Sequence, residues 1–298
     1  MIATSEIQIR DPFVVPVPSE GNYYLFGSTD KNVWGKGTGF DVYVSRDLEQ
    51  WQGPLPAFRP EEDFYSDTNF WAPEVYEHQG RYFMFATFRR KDNGRIGTAV
   101  LAADTITGPY HPHSEGPVTP EAWNALDGTL YLDDDGLPWM VFCREWKDVT
   151  DGQICAVRLT ADLKAALGEP LVLFSATEAC WTRPYESEKV AAQENKYVTD
   201  GPFLHRTAGG ELLMIWASYI GTSYAIGLVK SVTGQVTGPW VHEEEPLYKS
   251  DGGHGMIFRD LADRQLRLVL HTPNQSPLER AIFLTVAEEN GTLRLVRA

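Results

Sequence analysis

The sequence predicts an all-β protein, a single five-bladed β-propeller spanning residues 1–298. Three observations predict it. A strand-like segment recurs five times, each copy is followed by a second strand-like run, and helical periodicity is absent nearly everywhere. In place of helices stand short apolar runs bounded by Gly, Pro and Asp, which is the pattern of strands and tight turns. The five copies begin at Glu20, Gln79, Asp135, Gly209 and Asp263, so their spacings are 59, 56, 74 and 54 residues. Units of about four strands repeated around an axis close a sheet system without long free edges.

The first unit reads "EGNYYLFGST" from Glu20, with "FDVYVSRDLEQW" behind it and "QIRDPFVVP", residues 8–16, ahead of it. The second reads "QGRYFMFATF" from Gln79, preceded by "FWAPEVYE" and followed by "IGTAVLAADTITGPY". The third reads "DGLPWMVFCR" from Asp135, after "ALDGTLYL". The fourth reads "GGELLMIWAS" from Gly209, after "VTDGPFLH", and the fifth reads "DRQLRLVLHT" from Asp263, after "GGHGMIF". The segment ahead of each turn supplies the first strand of its unit, and in a propeller that strand lines the central channel. At corresponding places in these strands stand Asp11, Asp127, Asp200 and His254, with Trp71 and Glu74 in the second unit. A solvated turn would explain any one of these aspartates; their recurrence at one phase points to convergence in one pocket. The second strands return to the same mouth, bringing Thr29, Arg89, Glu145, Trp146, Tyr219 and the run His271 to Asn274. The segment "WTRPYE", residues 181–186, enters the fourth unit there, and the insert between Cys180 and Val198 is expected to wall off one end of the pocket.

Composition narrows the partners. A net charge of −15 opposes a nucleic acid, whose phosphates need a basic patch. No apolar run is long enough for a membrane-spanning helix, so no membrane partner is expected. No basic-then-apolar leader is visible, which reads as a cytoplasmic protein or one whose leader has been removed. Cys143, Cys155 and Cys180 lack metal-binding spacing and read as reduced thiols. Aromatic residues make up 12% of the chain, which suits both a β-rich core and flat rings stacked on sugars, so a neutral oligosaccharide is the expected partner.

Five motifs in order, "RDPFV" at 10–14, "WAPEV" at 71–75, "LDGTLY" at 126–131, "DGPF" at 200–203 and "GGHGMIF" at 252–258, resemble glycoside hydrolase family 43. The resemblance runs along nearly the whole chain. It implies a five-bladed propeller that cleaves arabinose- or xylose-containing glycans with inversion. By motif, the general base falls on Asp11, the acidity-tuning carboxylate on Asp127 and the general acid on Asp200. The family usually carries Glu before Gly-Pro, whereas this chain carries Asp, one methylene and roughly 1.3 Å shorter. Glu145, at the end of "FCREW", is therefore a second candidate for the acid. Trp71, Trp146, Phe13 and Arg280 are the expected sugar-binding residues, Arg280 because it resembles an arginine of the family's last blade. The resemblance also implies a channel cation near His254; calcium prefers oxygen, so it would be held through water, and no cofactor is required for the chemistry.

The expected activity is exo-acting release of a terminal pentose, as an α-L-arabinofuranosidase. The alternatives are a β-xylosidase, a glycoside phosphorylase using Arg89, Arg90, Arg144 and Arg183 for phosphate, and a non-catalytic sugar-binding propeller.

Overall fold

Short apolar strands joined by Gly- and Asp-containing turns fold into five antiparallel sheets in the computed structural model, which describes residues 1–186 and 194–296. Sheet one contains Ile2–Ala3, Arg10–Val17, Asn22–Ser28, Phe40–Ser45 and Gln50–Phe58. The other four have four strands each and begin at Ser66–His78, Ala125–Leu132, Asp200–Arg206 and Gly253–Arg259. Four sheets are simple meanders; in sheet one the meander runs from Arg10–Val17 to Gln50–Phe58, and Ile2–Ala3 adds to its outer edge beside Gln50–Phe58. The first strands of the meanders, Arg10–Val17 in sheet one, touch their neighbours around a common axis. This is the five-bladed β-propeller that the repeats predict. Among the described residues the only α-helix is the four-residue Trp146–Val149. The three cysteines are free, with Cys143 and Cys155 buried.

The blades are held face to face by apolar residues of their strands. Phe40, Phe58, Phe64, Phe70 and Phe88 fill the space between the first two blades, with Phe70 and Phe88 rings 4.9 Å apart and edge to face. Two further clusters fill the seams towards the fourth and fifth blades.

One irregularity recurs and builds the site. Every first strand carries a β-bulge near its start: between Arg10 and Phe13, Trp71 and Glu74, Leu126 and Thr129, Asp200 and Phe203, and Gly253 and Met256. Inside each bulge one residue has left-handed backbone: Asp11 at φ 53°, Ala72 at 48°, Asp127 at 57°, Gly201 at 49° and His254 at 43°. Pro12, Pro73 and Pro202 remove the next ladder donor, which favours the bulge in three of the blades. A regular strand sends consecutive side chains to opposite faces; a bulge re-aims one of them, so two neighbours can share a face.

The amides freed by the bulges are held by side chains from the preceding blade. Asp11 N–H donates to His271 Nδ1 at 3.1 Å, Ala72 N–H to Ser28 Oγ at 2.8 Å, and Asp127 N–H to Thr87 Oγ1 at 2.9 Å. Each of these acceptors lies on a second strand, so neighbouring blades fix one another's bulges.

Candidate active site

The bulged ends of the first strands surround a cavity of about 650 Å³. Arg10 and Asp11 both line it, as do Leu126 and Asp127, which is the consequence of the bulges. Asp200, His254, Trp71, Glu145 and Trp146 line it too. The structure therefore brings together Asp11, Asp127, Asp200, Glu145, Trp71, Trp146 and His254 of the residues expected from sequence.

Asp200 does not occupy the phase expected for it. Asp200 pairs with Ala217 as Arg10 pairs with Ser28 and Leu126 with Cys143, so it sits one residue before the bulge residue. The counterpart of Asp11 and Asp127 in the fourth blade is Gly201. A Cβ there would stand 2.6 Å from the His254 ring, so the missing side chain makes room for that imidazole. Gly201 contributes its N–H instead, donating to Asp127 Oδ2 at 3.1 Å.

The surroundings separate the carboxyls. Burial alone would push Asp11 up, but the positive neighbours outweigh it and its carboxyl is held below the usual carboxylate range. His254 Nδ1 lies 3.2 Å from Asp11 Oδ1, Arg10 is adjacent, and the Ser28 hydroxyl donates to Oδ2 at 2.7 Å. Asp200 is pushed up to about 7, first by burial and then by Asp127, while the Tyr224 hydroxyl, donating to Oδ2 at 2.8 Å, works the other way. Asp127 is driven well above the ordinary range by burial and by the Asp11 charge. Burial also raises Glu145, against the pull of Lys147, whose Nζ lies 3.0 Å from Oε2. Deeper in the channel, Glu74 is buried, accepts from the Tyr76 hydroxyl and is pushed up to about 7 by desolvation.

Two expected sugar contacts are not at the cavity. Phe13 lies past the bulge on the apolar face, 4% exposed, with its ring edge to face with Tyr76 and Phe203. Arg280 turns away to the carbonyls of Ser5, Pro277 and Glu279. Its third-strand position does begin at the mouth, but these carbonyls capture the guanidinium. The arginine that lines the cavity is Arg10. Trp34, Tyr185, Tyr224 and Lys147 also line it without having been singled out individually. Tyr224 had a topological signal, since third strands leave from the mouth where second strands arrive. Trp34 had none, because its place depends on an irregular loop anchored to the second blade through Asn69 N–H on the Gly35 carbonyl.

Of the insert expected to wall the pocket, residues 187–193 lie outside the described residues. Tyr185, ahead of that stretch, packs near Trp146 and Tyr219 on the cavity wall.

The residues around His254 do not suit a directly ligated cation. Its Nδ1 faces Asp11 and Asp127, and among the described residues no group of three or more His, Cys, Asp or Glu is arranged to hold a metal.

Comparison with known proteins accords with this geometry. The model of glycosyl hydrolases family 43 matches residues 4–290. The extracellular exo-α-(1→5)-L-arabinofuranosidase ArbA of Cellvibrio japonicus is 23% identical over 260 residues, covering 70% of this chain and 72% of that one. Among solved structures, an endo-arabinase from Bacteroides thetaiotaomicron superposes with a TM-score of 0.88 at 39% identity, covering 98% of both chains. An exo-1,5-α-L-arabinanase from a bovine ruminal metagenomic library shares the fold, with a TM-score of 0.71 at 19% identity over 100% of this chain and 99% of that one.

Proposed function

Because the chain belongs to glycosyl hydrolase family 43, we propose that it hydrolyses α-1,5-linked arabinan with inversion, releasing arabinose from chain ends. The observation that carries the chemistry is one cavity holding a carboxyl kept ionised, Asp11, and a carboxyl kept protonated to about pH 7, Asp200. Inverting hydrolysis needs both at once, on opposite sides of the scissile bond.

In this reading a water molecule attacks the anomeric carbon as Asp11 takes one of its protons. The bond from that carbon to the leaving oxygen breaks, and the Asp200 proton passes to that oxygen. The sugar leaves with its anomeric centre inverted, and solvent restores the two carboxyls. The Tyr224 hydroxyl donates to one oxygen of Asp200, so the transferable proton belongs on the other. Asp127 sits close enough to both to act on their acidity, and its Oδ2 is tethered by Gly201 N–H and lies 3.6 Å from His254 Nδ1. Trp71 and Trp146 provide flat apolar surface for the furanose rings.

Arabinan is favoured over xylan because ArbA and the Bacteroides endo-arabinase, which cover most of this chain, both carry arabinan-directed names. Release from chain ends is favoured by the likeness to ArbA. Internal cleavage is the second reading, favoured by the 39% identity to a protein described as an endo-arabinase. Incubation with debranched arabinan separates them. Arabinose as the sole early product supports the first reading, and a rapid fall in viscosity with mixed oligosaccharides supports the second. Turnover of aryl xylosides alone, turnover that requires phosphate, or binding without turnover would each refute the proposal in favour of a xylosidase, a phosphorylase or a sugar-binding protein.

A further inference from the structure

Among the described residues the ring of blades is closed without an exchanged strand. All five strands of the first sheet come from residues 2–58 and all four of the last from residues 253–295, so the seam between them is held only by side chains and a few backbone contacts. Arg10 is the polar centre of that seam. Its Nη1 donates to Glu279 Oε1 and its Nη2 to Asn274 Oδ1, both at 2.7 Å. Glu279 is completely buried, and Ile9 N–H donates to its carbonyl at 3.2 Å. A carboxylate in that position is tolerable only with a charged partner, so Glu279 holds the guanidinium in one place. That place is the cavity wall, one residue from Asp11.

We propose that Arg10, clamped by Glu279 across the seam between first and last blades, is a positioning residue that acts through the Asp11 base by supplying a fixed positive charge on the cavity wall beside it. The inference rests on the reading of Asp11 as the base. Groups from other strands also face Asp11. Ser28 on the second strand donates a neutral hydrogen bond, and Asp127 from the third blade is itself pushed up by the Asp11 charge. From the last blade, His254 Nδ1 stands 3.2 Å and His271 Nδ1 3.7 Å from Asp11 Oδ1. His271 is pushed down to about 3 by burial and by Arg10, and its Nδ1 accepts the Asp11 amide proton while Nε2 faces Asn274 Oδ1 at 3.3 Å. It is therefore neutral under ordinary conditions and fixes the backbone of Asp11 rather than its charge. Arg10 is the permanent cation of the set, since a guanidinium keeps its proton throughout the working range. Asn274 links the two devices, because it accepts from Arg10 and faces His271.

The test compares pH profiles of kcat/KM on an α-1,5-arabino-oligosaccharide for the wild type, Arg10→Gln and Arg10→Lys. Loss of a neighbouring positive charge raises a carboxyl pKa, so Arg10→Gln should move the acid limb up by about one to three pH units. Arg10→Lys, which keeps the charge, should leave that limb near its original place even if the fold is less stable. The double variant Arg10→Met/Glu279→Leu guards against misfolding, since apolar replacement of a buried ion pair is commonly tolerated. It should show the same raised limb. Arg10 would be only a seam residue if the neutral variants lost activity evenly across pH with the limb unmoved. A carboxyl titration of Asp11 followed by NMR needs no substrate. It would show the same upward shift in the neutral variants, or refute it, even if the wild type failed to act on arabinan.

Discussion

Asp11 and Asp200 have the same side chain, open equivalent strands and line one cavity, yet their surroundings push their acidities in opposite directions. On the side where the first and last blades meet, Asp11 has Arg10, His254 and the Ser28 hydroxyl around it. On the side of the third and fourth blades, Asp200 has Asp127 and Glu145 nearby and a tyrosine hydroxyl as its hydrogen-bond donor. The difference shows that the acidity of each carboxyl is set by its neighbours and by one residue of register about a bulge. Asp11 sits in the bulge itself, against the preceding blade; Asp200 sits one residue before it, with Gly201 taking the bulge position.

The largest loss of activity should come from neutralising the Asp11 side. Asp11→Asn should fold normally by circular dichroism and lower kcat on arabino-oligosaccharides by about 10²- to 10⁴-fold, because an amide cannot take the proton from water. Near-native turnover would remove Asp11 from the chemistry. Next in size is the protonated side. Asp200→Asn should depress hydrolysis of arabino-oligosaccharides by about 10²-fold or more while sparing nitrophenyl arabinofuranoside, whose leaving group departs with little help. Glu145→Gln should slow both substrates to a similar degree, and a selective loss there instead would transfer the acid role to Glu145.

Two smaller effects on Asp200 should have opposite signs. The Asp127 charge raises Asp200, and the two titrate as a coupled pair, so Asp127→Asn should move the alkaline limb of the activity profile below pH 7. The Tyr224 hydrogen bond lowers Asp200, so Tyr224→Phe should move that limb upward, by about one unit or less for one hydrogen bond. Shifts in the same direction would mean that the two partners do not act on Asp200 in this way.

The fold was legible because strand periodicity and turn residues are local properties, and "YYLFGS", "YFMFAT" and "LLMIWAS" carry them openly. Asp11 and Asp127 were legible as cavity residues because their motifs recur ahead of each turn. The one-residue offset of Asp200 was not, since the register of a bulge is decided by pairing with the second strand. Phe13 and Arg280 were misplaced for a related reason: whether a side chain near the mouth turns inward depends on non-local partners, Tyr76 and Phe203 in one case and the Ser5 carbonyl in the other. Arg10 lay in plain view in "RDPFV", but its partner Glu279 is at the other end of the chain.

In the proposed mechanism Asp200 carries the proton delivered to the leaving group and holds it up to about pH 7. The most direct test of that role is the pH profile of kcat/KM on an arabino-oligosaccharide for the wild type, Asp200→Asn and Glu145→Gln. Wild-type activity should decline as pH rises through about 7, where Asp200 loses its proton; that decline should be absent in Asp200→Asn and kept in Glu145→Gln. A decline that survives in Asp200→Asn and vanishes in Glu145→Gln would contradict that role.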